Sequence, residues 1–150
     1  MIAREMIQAV PKSDLHTHLD GSMRVSTLIE LAREQGVALP SYEVEGLNEQ
    51  VFKPVYRDLP EYLAGFRYTC AVLRSFEAME RAAFELAEDA AAQGVRYIEV
   101  RFAPQLLVPT GDACVRALKA VGDGLARAAR RHNALPAVLQ GEDIPFEWSI

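Results

Sequence analysis

The chain has 150 residues, half of them hydrophobic, and a formal net charge of −5. That size suits one ordinary domain with a real core, and the acidic balance argues against a general nucleic-acid binder, because phosphate recognition needs a basic surface. Cys70 and Cys114 are the only cysteines and neither sits in a Cys-x-x-Cys pair, which excludes a disulfide framework and a cysteine zinc site. No apolar run approaches membrane-spanning length and the start carries no leader pattern. The expectation is a cytoplasmic protein with reduced thiols.

Residues 13–18 read as a short buried strand, with Leu15 and Leu19 as apolar neighbours. Side chains at i and i+2 of a strand share a face. His16 and His18 therefore project together, and one metal ion fits between their imidazoles. A hydrolytic metal site needs three protein ligands and an open position; the pair supplies two. Histidines on a buried face must be hydrogen-bonded or liganded. On spacing alone, the metal and structural readings stand level.

Ser26 is the expected N-cap of a helix whose apolar face is Leu28, Leu31 and Ala32, closed by Gly36 in a left-handed conformation. Residues 39–46 read as a loop and 49–53 as a short helical turn. Pro60 suits the first turn of a helix running to about Leu73. Tyr62, Leu63, Phe66 and Thr69–Cys70 recur along it at helical spacing, which by itself means core packing.

Ser75 caps the longest predicted helix, 76–93, closed by Gly94 and buried along Met79, Ala83, Leu86 and Ala90. Residues 95–102 alternate as a strand, with Ile98, Val100 and Phe102 on one face and Tyr97, Glu99 and Arg101 on the other. Glu99 and Arg101 read as a structural charge pair. Asp112 caps a last helix to about Arg131, weakened by Gly122 and Gly124. Its basic cluster, 127–131, complements the helix dipole. Residues 134–139 read as a third strand. Strands alternating with helices predict a parallel α/β architecture.

Four segments carry a resemblance. They are Pro11-Lys12-Ser13-Asp14-Leu15-His16-Thr17-His18-Leu19-Asp20-Gly21-Ser22, then Thr27-Leu28-Ile29-Glu30-Leu31-Ala32, then Asp58-Leu59-Pro60-Glu61-Tyr62-Leu63-Ala64-Gly65-Phe66, and finally Tyr97-Ile98-Glu99-Val100-Arg101-Phe102-Ala103-Pro104-Gln105-Leu106-Leu107. In order and spacing, from about residue 11 to 107, they resemble the N-terminal part of the adenosine deaminase family of metal-dependent amidohydrolases.

The resemblance implies an incomplete, helix-rich N-terminal portion of a (β/α)8 TIM barrel, filling residues 1–150 as one partial domain with a divergent tail at 133–150. A whole barrel takes about 250 residues, and its site lies at the carboxyl ends of the strands. It further implies that His16 and His18 are ligands of one zinc ion. His18 and Asp20 would face the substrate, Asp20 accepting a ribose hydroxyl. Leu59, Tyr62 and Phe66 would form an apolar lid over the purine. The implied reaction is zinc-dependent hydrolytic deamination of adenosine to inosine, in purine metabolism.

The family's later ligands and its general acid, a glutamate in a His-x-x-Glu pattern, have no match. His132 is followed by Asn133-Ala134-Leu135, so no catalytic residue is assigned and the chain is expected to be inactive alone, with zinc weak or absent. Two alternatives stand beside this reading. One is a related amidohydrolase acting on adenine or a modified nucleoside. The other is a non-catalytic half-barrel that pairs with another chain, or with itself through unpaired barrel edges. A natural truncation, a frameshift or an engineered end would each account for the tail. The expected partner is a small purine nucleoside, with no nucleic acid and no membrane. Zinc deaminases acting on nucleic acid carry His-x-Glu and Pro-Cys-x-x-Cys, both absent here.

Overall fold

Three parallel strands, β1 (Lys12–His18), β2 (Val95–Arg101) and β3 (Glu147–Ser149), make one sheet in the order β1-β2-β3. The protein is seen in a computed structural model that describes residues 3–109 and 111–150. Parallel neighbours need long crossovers, and both connections are helical. A short α1 (Arg4–Ala9) precedes β1. Helices α2 (Val25–Gln35), α3 (Val44–Gln50), α4 (Leu59–Leu63), α5 (Phe66–Val72) and α6 (Phe76–Ala92) join β1 to β2. Helices α7 (Pro104–Leu107), α8 (Asp112–Asn133) and α9 (Pro136–Leu139) join β2 to β3.

The core lies on one side of the sheet. Ile98 and Val100 of β2 are fully buried there, against Met79, Ala83 and Leu86 of α6 and Val121 and Leu125 of α8. The small residues of α6 and α8 let the two helices approach closely, and ion pairs Arg127–Glu80 (3.0 Å) and Arg131–Glu88 (2.5 Å) border the contact. A second cluster joins Leu28, Leu31 and Ala32 of α2 to Leu47, Val51 and Val72. The Arg24 guanidinium meets the Asp89 carboxylate through two bonds of 2.7 and 2.8 Å, fixing the entry of α2 against α6.

Several local expectations hold. The Ser75 hydroxyl accepts from the Ala78 N–H at 3.1 Å, Pro60 sits in the first turn of α4, and Gly36 and Gly94 have φ of 68° and 83°. The differences have physical causes. β1 is not buried: Leu15 is 57% exposed and only Leu19, at 1%, enters the core. Among the described residues β1 pairs with β2 alone, so it is an edge strand, and His16 and His18 are exposed. Ser26 does not cap α2; the helix begins at Val25 with Arg24 as N-cap and no side-chain cap, because the Arg24–Asp89 bridge fixes where the chain turns. α3 starts at Val44, inside the expected loop 39–46, and ends at Gln50, so the helical turn expected at 49–53 lies earlier in the chain. The helix expected from Pro60 to Leu73 is two, α4 and α5, broken at Ala64–Gly65. Asp112 is the first helical residue of α8, and Gly111 is its N-cap.

The third strand is not at 134–139. Pro136 opens the short helix α9 there, as a proline suits a first helical turn, and β3 follows at Glu147–Ser149. The tail is thus built into the sheet. Asn133 Nδ2 donates to the Phe146 carbonyl at 3.2 Å, and Asn133 Oδ1 accepts from the Phe146 N–H at 2.7 Å. Arg96 holds Asp143 by two bonds of 3.0 and 2.8 Å, and Phe146 is 1% exposed. Among the described residues no helix is long and apolar enough to cross a membrane.

Candidate functional site

The carboxyl end of β1 assembles the site. Leu19 donates its N–H to the Arg101 carbonyl at 2.9 Å, extending the ladder one residue past His18. The chain then turns, with the Gly21 N–H on the His18 carbonyl at 3.2 Å. Burial of Leu19 anchors this turn, leaving the histidines in front of it and Asp20 behind it. The period of two places His16 and His18 together. Their Nε2 atoms are 3.2 Å apart, with ring centroids at 5.1 Å and planes inclined by 38°.

That separation can be tested against a metal. Two imidazole nitrogens at zinc–nitrogen distances of about 2.0–2.1 Å, with a tetrahedral angle between them, lie about 3.3 Å apart. The pair therefore fits half of a tetrahedral zinc site, and both rings are accessible. Among the described residues no third histidine, cysteine, aspartate or glutamate joins them. His132 lies at the end of α8, its Nε2 3.3 Å from the Ile144 carbonyl oxygen and its ring beside Phe146.

Asp20 faces a different set of groups. Its side chain is 19% exposed. Oδ2 accepts the Cys70 thiol at 3.6 Å, while Oδ1 is buried without a hydrogen-bond partner; His18 Nδ1, at 3.9 Å, is beyond hydrogen-bond reach. Burial, then the Asp20 charge and hydrogen bond, push the Cys70 thiol up to about 11, so at neutral pH it remains the donor. A buried carboxylate oxygen without a donor is uncommon and calls for a ligand or water.

Asp20 borders a small cavity of about 70 Å³, walled by Phe52, Tyr56, Tyr62, Phe66 and Thr69. The rings stack edge to face, Tyr56 on Tyr62 at 5.2 Å and Tyr62 on Phe66 at 5.6 Å. Gly21 allows Phe66 to lie on the turn: a Cβ at Gly21 would stand 3.3 Å from the Phe66 ring. Leu59 stands outside the wall, on the exposed side of α4 and 65% accessible. Asp20, Tyr62 and Phe66 thus meet at one cavity, His16 and His18 meet in front of it, and Leu59 joins neither group. Glu99 and Arg101 do not pair; Glu99 Oε1 accepts the Tyr97 hydroxyl at 3.0 Å and Arg101 is exposed.

Sequence reasoning missed Phe52, Tyr56 and the Cys70–Asp20 contact. The first two lie between α3 and α4, Phe52 within the helical turn expected at 49–53 and Tyr56 beyond it, and neither belongs to an apolar row of a helix. Cys70 does continue the i, i+4 row of Tyr62 and Phe66, which is a usable signal for its side of the helix.

A family model described as adenosine deaminase matches residues 11–139. The chain belongs to the adenosine deaminase family. A probable adenosine deaminase of Dictyostelium discoideum is 42% identical over 132 residues, covering 85% of this chain and 17% of that protein. The adenosine deaminase of Shewanella woodyi is 42% identical over 127 residues, 84% of this chain and 38% of that protein. Among solved structures, the Arabidopsis N6-mAMP deaminase superposes with a TM-score of 0.65 at 32% identity, over 84% of this chain and 37% of that one. An Arabidopsis relative complexed with IMP gives 0.64 at 33% identity, over 84% and 36%. A Burkholderia ambifaria amidohydrolase with bound Zn gives 0.65 at 28%, over 87% and 35%. The chain spans well under half the length of these relatives. The adenosine deaminase relationship makes its three parallel strands the N-terminal part of a (β/α)8 barrel.

Proposed function

We propose that the end of β1 and the cavity beside it form the nucleoside-binding part of an adenosine deaminase site, converting adenosine to inosine in the complete enzyme. The observation that carries this is Asp20, which lines an aromatic cavity and whose buried Oδ1 has no hydrogen-bond donor among the described residues. A ribose hydroxyl supplies the missing donor, and a carboxylate is a strong acceptor for it. Tyr62 and Phe66 cover the purine and exclude water. His16 and His18 would hold one zinc ion, which when bound supplies Lewis acidity for attack on the ring carbon bearing the amine. His18, next to both groups, also faces the substrate. These residues bind and orient; none is assigned the proton transfer to the ring nitrogen. Reduced Cys70 and Cys114 suit a cytoplasmic setting.

The same carboxylate favours a nucleoside over two rivals. Free adenine carries no hydroxyl to satisfy Asp20. A nucleotide brings a phosphate to a cavity whose wall holds a carboxylate and, among the described residues, no lysine or arginine. Calorimetric titration of the 150-residue chain with adenosine, adenine and AMP tests this. Adenosine is expected to bind tightest, and Asp20→Ala to remove its advantage. Losing one charged hydrogen bond costs on the order of 1.5–3 kcal/mol, about ten- to a hundredfold. Equal affinity for adenosine and adenine, unchanged by Asp20→Ala, refutes the reading.

A further inference from the structure

Helix α4 has five residues and none of them is buried. A helix that short does not hold itself together, and its apolar side chains do not anchor it: Leu59 is 65% exposed, Leu63 51% and Tyr62 44%. Yet Tyr62 is half of the aromatic contact that walls the cavity. Something other than packing fixes α4 in place.

The candidate is Glu61. Its Oε2 accepts the backbone N–H of Arg57 at 2.7 Å, and its Oε1 accepts the Lys53 ammonium at 3.0 Å. Its own N–H donates to Asp58 Oδ1 at 2.9 Å. One side chain thus ties the first turn of α4 back to two points of the segment 53–58, which itself carries Tyr56. We infer that Glu61 is a positioning residue: by clasping Arg57 and Lys53 it sets Tyr62 against Tyr56 and Phe66 over the Asp20 cavity. The inference rests on reading that cavity as the nucleoside site. The Arg57 N–H and the Lys53 ammonium hold the Glu61 carboxyl below its ordinary range, so the clasp is ionised at neutral pH.

Two features separate the clasp from an ordinary surface ion pair. Exposed pairs contribute little, but here one carboxylate oxygen is bonded to a backbone N–H, which fixes main-chain geometry. The Lys53 and Glu61 side chains are also shielded, at 34% and 26% exposure. The residue acts through Tyr62 and touches nothing in the cavity itself.

Hydrogen exchange on the 150-residue chain, with and without adenosine, tests the inference. Glu61→Ala is expected to speed exchange across 53–66 about tenfold or more while leaving α6 and β2 unchanged. It is also expected to weaken adenosine binding several-fold. Glu61→Gln keeps an acceptor for the Arg57 N–H and should restore most of the protection. Unchanged exchange at 53–66 in Glu61→Ala overturns the inference. So does acceleration spread equally over α6 and β2, which would make Glu61 a general stability residue. If adenosine leaves 53–66 unaltered in the unsubstituted chain, the nucleoside reading of the cavity falls, and the ligand-free comparison of the two variants still decides the clasp.

Discussion

Gly124 of α8 lies directly against the backbone of Glu80 in α6: a Cβ added there would come within 2.3 Å of the Glu80 carbonyl oxygen and 3.0 Å of the Phe84 nitrogen. The obstacles are main chain, so no rotamer change relieves them. Gly124→Ala is expected to force the two longest helices apart and to lower stability by about 2 kcal/mol or more. Gly122→Ala is the control, since its nearest neighbour is the Trp148 side chain at 3.5 Å. Thermal melts of both variants check this. A Gly124→Ala protein that melts with the unsubstituted chain contradicts the close contact.

The Cys70 thiol should be unreactive at neutral pH. Its ordinary value of 9.0 is pushed to about 11, first by burial and then by Asp20. Alkylation rates followed against pH in a Cys114→Ser background should rise with a midpoint near that value. Asp20→Asn removes the second cause and leaves the first, so the midpoint should move down without reaching 9. The sign for stability follows. The fold binds this proton more tightly than the unfolded chain, so the contribution is complete below pH 9 and is lost as the pH rises toward 11. A midpoint of 9 in both proteins would sink this.

Zinc affinity should be modest. Two imidazoles 3.2 Å apart supply half a coordination shell, and a shell completed by water is weak compared with four protein ligands. A cobalt or zinc titration is expected to give micromolar-class affinity or weaker, abolished by His16→Ala with His18→Ala. Retention of one equivalent through dialysis against a chelator would show that the shell has further protein ligands.

Turnover should be undetectable in the 150-residue chain. The proposed binding groups lie in this chain, but none of the described residues is assigned to protonate the purine ring, and catalytic groups that act as a unit fail together. The absorbance change from adenosine to inosine, measured with added zinc, checks this. A rate that disappears in His16→Ala would disprove it.

The open edges of β1 and β3 predict association. Among the described residues β1 pairs only with β2, and so does β3; unpaired edges template contact with another chain. Sizing chromatography over a concentration series should show oligomers growing with concentration. A monomer at all concentrations would count against it.

What could be read from the sequence was local. Ser75, Gly36, Gly94 and Pro60 act within a turn of themselves, and their roles followed from residue type. The His16–His18–Asp20 spacing is equally local, so the residues of the proposed site stand out in the sequence before any fold. What was hidden depends on distant partners. Arg24 moves the start of α2 through Asp89, 65 residues away. Cys70 meets Asp20 across 50 residues. Gly124 looked like a weak point in a helix because propensity says nothing of what lies opposite. β3 has three residues, too few for alternation to register, whereas the apolar run at 134–139 resembled a strand until Pro136 turned it into a helix.

The two bonds between the Asn133 amide and Phe146 bear on the order in which the sheet is made. A side-chain amide offers the same donor and acceptor as a peptide group, so the last turn of α8 acts as a surrogate strand for the incoming chain. Closing a loop between positions thirteen residues apart is entropically inexpensive, whereas a three-residue ladder has little to hold it unaided. The third strand is therefore expected to join after α8 has formed rather than to nucleate on the sheet. The width of the sheet is decided at the end of a helix.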